Sequence, residues 1–197
     1  MKKKAILIIL LFLITVSAAF PQQKTVENFK LVNAANKREV SLTDFSNKKA
    51  IAIIFTSNYC PYSKLYEERI LKLHQQYASR GLQVILVNPN DPVKSSNDSI
   101  EKMAEKAAEK QFPFPYLADK NQAVCDQFGA TKTPEVFLLV KKGSAFQVVY
   151  SGAIDDNPQV PQDVTTSYID KAVSSVLSGK AMASSHTRPT GCIIKKN

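Results

Sequence analysis

An α/β fold, with a central mixed β-sheet flanked by helices on both faces, follows from three observations. Strand-like and helix-like segments alternate through the first half of the chain, which calls for right-handed parallel crossovers. The segment Ala50–Phe55 is apolar at every position, so it needs cover on both faces and belongs at the centre of a sheet. A hairpin pattern near the C-terminus adds antiparallel strands. The 197 residues suffice for one domain with a well-buried core, and 44% hydrophobic against 22% charged residues excludes wholesale disorder.

The elements follow in order. Phe29 to Asp44 reads as two short extended pieces around the turn-prone stretch Asn33–Lys37, and Ala50–Phe55 is the central strand. A helix begins after Asn58-Tyr-Cys60-Pro61. Its apolar residues Tyr66, Ile70, Leu73 and Tyr77 recur at helical spacing, and Gly81 closes it. Val84–Val87 is a second buried strand ending in the turn-rich Asn88–Pro92. Asp98 with Glu101 has the form of a capping box opening a helix whose apolar positions are Ile100, Met103, Ala104 and Ala107. The prolines of Phe112–Pro115 break it. Tyr116–Ala118 is short and extended, and Asn121–Phe128 is a short helix closed by Gly129. Val136–Val140 and Phe146–Tyr150 form the hairpin around Lys141–Ser144. The last helix turns Ile169, Val173, Val176 and Leu177 inward and stops at Gly179.

The ends are separate from this domain. Lys2, Lys3 and Lys4 precede the mostly apolar run Ala5–Val16 and the small residues Ser17, Ala18 and Ala19, the pattern of a secretory signal peptide. The run is short of the roughly 20 apolar residues that span a bilayer, although an uncleaved anchor is the alternative. The expected division is a signal peptide over 1–19, a domain over 20–180 and an extended tail over 181–197, in a protein exported to a bacterial periplasm or secreted. Three lysines and no acidic residue leave with the leader, which takes the net charge from +9 to +6. The remaining lysines are scattered, without a dense run interleaved with aromatics, so a nucleic-acid partner is not implied.

Cys60 stands where the central strand gives way to a helix, and Pro61 sits where helices accept proline, in the first turn. A cysteine there faces unpaired backbone N–H groups and the positive end of the helix dipole, which favour the thiolate. Ser63 occupies the place of the second cysteine of a Cys-x-x-Cys motif. Its hydroxyl is a candidate donor to the thiolate, but it closes no disulfide. The alternative is that Cys60 is a buried structural cysteine. Thr133-Pro134 puts a proline at the start of an apolar strand, a position that suits proline and is a candidate for a cis bond.

The Cys-Pro helix start and the Thr-Pro strand start together resemble the signature pair of the thioredoxin fold, over about Phe29 to Gly179. The chain is most similar to exported thioredoxin-family proteins of the AhpC/TSA, peroxiredoxin-like redoxin group. The motifs that carry this are Asn58–Tyr62, Tyr66–Arg69, Asn88–Asp91, Phe112–Tyr116, Thr133–Phe137 and the tail Pro189–Lys195. The resemblance implies that Cys60 is the attacking cysteine, with Thr133 and Pro134 as the cis-proline segment beside it, Thr133 offering backbone groups to an extended substrate. It implies Cys192 as a resolving cysteine held in the tail. The alternative there is a thiol that packs as a small apolar residue. Peroxiredoxins carry Pro-x-x-x-Thr/Ser-x-x-Cys. Here Ser57 fills the Thr/Ser place, but Ile53 stands where proline belongs. The arginine that polarises peroxide is absent from Glu135-Val-Phe137. Arg69 is a substitute in principle, although exposed pairing with a carboxylate is its simpler role.

The other candidates read as structural. Cys125 belongs to the core, Glu67 and Glu68 to a solvated helix face, and His74 and His186 to the surface, without a second ligand at metal spacing. The expected function is that of a thiol-dependent oxidoreductase, with an antioxidant or redox-homeostasis role, attacking a disulfide or hydroperoxide through Cys60. No metal or organic cofactor is implied. Its partners would be a thiol reductant or a disulfide-bearing protein, and no stable membrane association is expected once the leader is cleaved. The competing reading is a redox-inactive, peptide-binding or chaperone-like module.

Overall fold

The structure is a computed structural model that describes residues 24–180 and 185–196. The leader and its expected cleavage site lie outside the described residues. Among the described residues, eleven strands and four α-helices follow one another: β1 (Thr25–Val26), β2 (Lys30–Asn33), β3 (Glu39–Ser41), β4 (Ala50–Phe55), α1 (Pro61–Tyr77), β5 (Leu82–Asn88), α2 (Ile100–Glu109), β6 (Tyr116–Ala118), α3 (Ala123–Phe128), β7 (Lys132–Thr133), β8 (Glu135–Lys142), β9 (Ala145–Gly152), α4 (Tyr168–Leu177), β10 (Ser185–His186) and β11 (Cys192–Ile193).

The main sheet runs β1-β9-β8-β4-β5-β6-β2-β3, with β10 added to β9. The pairs β4–β5 and β5–β6 are parallel, while β4–β8, β8–β9 and β6–β2 are antiparallel, so the sheet is mixed as expected. All six residues of β4 are buried, which is why an uninterrupted apolar run was needed there. One face packs on Tyr66, Ile70, Leu73 and Tyr77 of α1, Met103 and Ala107 of α2, and Ile169, Ala172 and Val173 of α4. The other is covered by Phe29, Leu42, Val124 and Phe128, and by Ile194 from the tail. Helices lie on both faces, although among the described residues the second is served by the short α3 and the 3-10 turn Leu42–Phe45.

Because β4 and β8 are antiparallel, the end of β4 lies beside the start of β8, with Phe55 opposite Glu135. The turn carrying Cys60 and the Thr133-Pro134 dipeptide, 73 residues apart in sequence, are thereby brought to one edge of the sheet. The Thr133–Pro134 peptide bond is cis.

Several side chains depart from expectation. Asp98 does not cap α2. Ser99 does, accepting from Lys102 N–H, and the Asp98 carboxylate is buried elsewhere. Glu67 is no solvated residue: it accepts from Lys106 Nζ at 2.8 Å and lies 3.4 Å from Lys110 Nζ, largely shielded from water. His74 leaves the surface to pack its ring on Phe114, centroids 5.3 Å apart. Burial, assisted by the Lys48 charge, lowers its pKa. His186 is exposed as expected, and Cys125 is a free, fully buried thiol that burial pushes up to about 11.

Candidate functional site

Cys60 is the N-cap of α1, with extended backbone (φ −73°, ψ 120°) and Pro61 following in the first turn. It is fully buried, and its Sγ is bonded to Cys192, with the two Cα atoms 5.9 Å apart. That separation lies inside the range a disulfide spans. Thr133 O approaches Cys60 Sγ at 3.0 Å.

The tail reaches Cys60 as an added strand. β11 pairs antiparallel with β7, Cys192 opposite Thr133 and Ile193 opposite Lys132, and Ile194 N–H donates to Thr131 O at 3.2 Å. Gly191 precedes the cysteine for a steric reason. A Cβ there would stand 2.2 Å from Thr133 O and 3.1 Å from Pro134 N, so no larger residue fits without moving the tail. Glu135 secures the other side, accepting from Thr131 N–H at 2.8 Å and Lys132 N–H at 3.0 Å.

The turn that presents Cys60 is organised by Ser57 and Asp98. Ser57 Oγ donates to the Asp98 carboxylate (2.9 and 3.0 Å) and faces the N–H groups of Tyr59 (3.1 Å) and Cys60 (3.3 Å). Asp98 also accepts from Asn58 N–H (2.7 Å), Asn88 Nδ2 (2.8 Å), Asn90 Nδ2 (2.8 Å) and Ser95 Oγ (2.6 Å). Burial pushes its pKa up, but the bonds from Asn90, Ser95, Asn88 and Ser57 outweigh that and hold it below the ordinary carboxylate range. A buried anion satisfied by neutral donors is a rigid anchor, because every donor would lose its partner if the turn moved. Ser63 is buried with its Oγ accepting from Ser57 N–H at 3.3 Å, so this hydroxyl braces the turn. Thr133 Oγ1 is buried without a hydrogen-bond partner among the described residues.

The fold therefore brings together Cys60, Pro61, Ser57, Ser63, Thr133, Pro134 and Cys192. Arg69 is directed elsewhere. Its Nη1 pairs with Asp155 at 2.7 Å and donates to Asn157 O, while Nη2 donates to Pro158 O, in a site where Asp155 is almost fully buried. The expected carboxylate partner is present, but the pair is not exposed. Asp98, Asn88, Asn90, Glu135 and Gly191 escaped the sequence reading as site residues. Asn88, Asn90, Glu135 and Gly191 lie within motifs that carry the family resemblance, but nothing local marks their roles, and the short polar residues around Asp98 are what turns also produce. Among the described residues, no group of three or more His, Cys, Asp and Glu is placed to hold a metal ion, and no helix is long and apolar enough to cross a membrane.

Comparison with known proteins agrees with this architecture. The pattern of the AhpC/TSA family matches residues 22–148. A thiol-disulfide oxidoreductase ResA of Halalkalibacterium halodurans is 25% identical over 104 residues, 53% of this chain and 55% of that protein, so the chain spans just over half of its length. Among solved structures, a hypothetical protein of Sinorhizobium meliloti superposes with a TM-score of 0.81 at 31% identity, covering 89% of this chain and 94% of its own. A putative thioredoxin of Neisseria meningitidis superposes at 0.60 with 22% identity, over 79% of this chain and 91% of its own, which places the fold as thioredoxin-like. With the family pattern matched over well more than half its length, the chain belongs to the AhpC/TSA family.

Proposed function

We propose that the protein is a thiol–disulfide oxidoreductase whose redox pair is Cys60 and Cys192. The observation that carries this is the Cys60–Cys192 disulfide, formed between a helix N-cap and a tail docked as a strand beside Thr133-Pro134. In the reduced protein, the Cys60 thiolate, favoured by the α1 N-terminus, attacks one sulfur of a partner disulfide. A Cys60–partner disulfide forms, and the other partner sulfur leaves as a thiolate that takes up a proton. Cys192, deprotonated, then attacks Cys60 Sγ, forms the observed disulfide and releases the second partner thiol. The partner gains two electrons, and an external thiol reductant returns them to the protein. Ser57 and Ser63 hold the turn, Pro61 starts the helix, and Thr133-Pro134 seats the tail strand that carries Cys192 beside Cys60.

A hydroperoxide would instead oxidise Cys60 to the sulfenic acid, which condenses with Cys192 to the same disulfide and water. Arg69, committed to Asp155, offers nothing to polarise a peroxide, which favours the disulfide as substrate. The leader pattern supports export, with residues 1–19 as a signal peptide, 20–180 as the domain and 181–197 as the tail.

The test is trapping by acid quench and mass spectrometry after mixing the reduced protein with a protein disulfide such as insulin. Cys192→Ser should accumulate a mixed disulfide on Cys60, and Cys60→Ser should form none. Equal trapping in the two variants would overturn the assignment. Titration of the reduced Cys60 thiol below the ordinary value of about 8.5 is expected alongside.

A further inference from the structure

Sulfur is not all that holds the tail in place. Ile194 is buried in the apolar cluster beneath α3, and Lys195 is fixed through its backbone. Lys195 N–H donates to Asn90 Oδ1 at 2.9 Å, and its carbonyl accepts from Gln122 Nε2 at 2.8 Å and Asp91 N–H at 3.2 Å. Its ammonium lies 3.7 Å from the Tyr59 ring centroid. None of these contacts requires the disulfide.

Asn90 belongs to both sides of the junction. Its Nδ2 donates to Ser57 Oγ (3.0 Å) and to Asp98 (2.8 Å), and Ser57 Oγ in turn faces the Cys60 N–H. The amide orientation is settled by chemistry, since only the NH₂ end suits the carboxylate and only the oxygen suits the Lys195 N–H. One buried side chain thus bridges the turn that presents Cys60 and the backbone three residues past Cys192.

Resting on the redox pair proposed above, we infer that Asn90 is a positioning residue for closure of the disulfide. It keeps the tail docked when both thiols are reduced, so that Cys192 waits beside Cys60. A tail tethered only through its chain would offer an effective concentration of roughly millimolar order, whereas a docked one exceeds it. The exchange that reports this is balanced. The protein disulfide plus two molecules of glutathione gives the dithiol plus one glutathione disulfide, and its equilibrium constant measures the effective concentration of Cys192 at Cys60.

The experiment equilibrates the full-length protein in defined glutathione buffers, quenches with acid and counts free thiols by alkylation and mass. Asn90→Ala removes the bridge. Lys195→Pro removes the N–H donated to Asn90 together with the ammonium beside Tyr59, leaving Asn90, Ser57 and Asp98 paired, while Lys195→Ala removes the ammonium but retains that N–H, so comparing the two reports the bond to Asn90. The expected result is that Lys195→Pro closes about tenfold less favourably than Lys195→Ala, a potential about 30 mV higher. Asn90→Ala, which also withdraws its Nδ2 bonds to Ser57 and Asp98, should lose at least as much, and the Asn90→Ala/Lys195→Pro double variant should be no worse than Asn90→Ala alone, because the bond to the Lys195 N–H is common to both changes. Equal constants for Lys195→Pro and Lys195→Ala, or fully additive losses in the double variant, would overturn the positioning role. If the unmodified protein never forms Cys60–Cys192 in any buffer, the redox pair itself fails. Normal closure with unresponsive variants rejects Asn90 alone.

Discussion

At the scale of single residues, the site depends on side chains that do no chemistry. Asp98 accepts from five neighbours while buried, and its carboxyl is held below its ordinary range. A group whose folded pKa is depressed adds stability above its unfolded pKa of about 3.9, and that stability is lost as pH falls through the folded value. Asp98→Asn should therefore cost about 2–3 kcal/mol at pH 7 by breaking charge-assisted bonds, and the gap to the parent protein should narrow below about pH 4. Urea unfolding of the oxidised forms at both pH values checks this. A pH-independent difference would mean that the ionised form is not what the donors recognise. Cys125 offers a simpler check. Buried, with its thiol pushed up to about 11, it should resist iodoacetamide at pH 8 in the folded oxidised protein and react on unfolding. The Cys60 turn was legible because its signals are local: an apolar strand, a cysteine, a proline, then helical spacing. Asp98 was misread because an acid three residues before Glu101 looks the same whether it caps a helix or is captured by distant donors. Cys192 was reached only through the resemblance, since its pairing spans 132 residues.

At the scale of elements, periodicity and length decided what could be foreseen. The strand β4, the helices α1 and α4, and the β8–β9 hairpin matched their patterns closely, because each buries enough residues to leave a repeat. The two-residue strands β1, β10 and β11 carry no repeat and exist only because a distant partner strand is there, so no local pattern announces them. Helix α1 shows the division of labour. Its first residue, Pro61, follows Cys60, while Arg69, eight residues further on and roughly 12 Å along the axis, ties its middle to the loop after β9 through Asp155. Arg69→Ala should then destabilise the fold by about 3 kcal/mol, the usual cost of stranding a buried partner charge. The rate of thiol–disulfide exchange per folded molecule should stay within about twofold. A large fall in exchange rate without loss of stability would return Arg69 to the site.

At the scale of the molecule, the disulfide joins the first helix to the C-terminal tail across 132 residues, and its worth depends on what each end does when the bond is open. In an unfolded chain, a crosslink of that span removes loop entropy equivalent to about 5 kcal/mol. If the reduced tail stays docked, the folded state gives up little on closure, so most of that difference appears as stability. The oxidised protein should then resist unfolding by about 3–5 kcal/mol more than the reduced one, measured by urea titration with and without a phosphine reductant. Folding and disulfide closure form one thermodynamic cycle. The same free energy must therefore appear as an effective concentration of Cys192 about two to four powers of ten higher in the folded than in the unfolded protein. The Gly191→Ala variant separates the two contributions. Its Cβ would collide with Thr133 O and push the tail off β7, leaving the chain length between the cysteines unchanged. Most of the extra stability should disappear in that variant while its unfolded-state closure remains the same. If Gly191→Ala kept the full difference between oxidised and reduced forms, docking would contribute nothing to closure, and the bond would be held by chain connectivity alone.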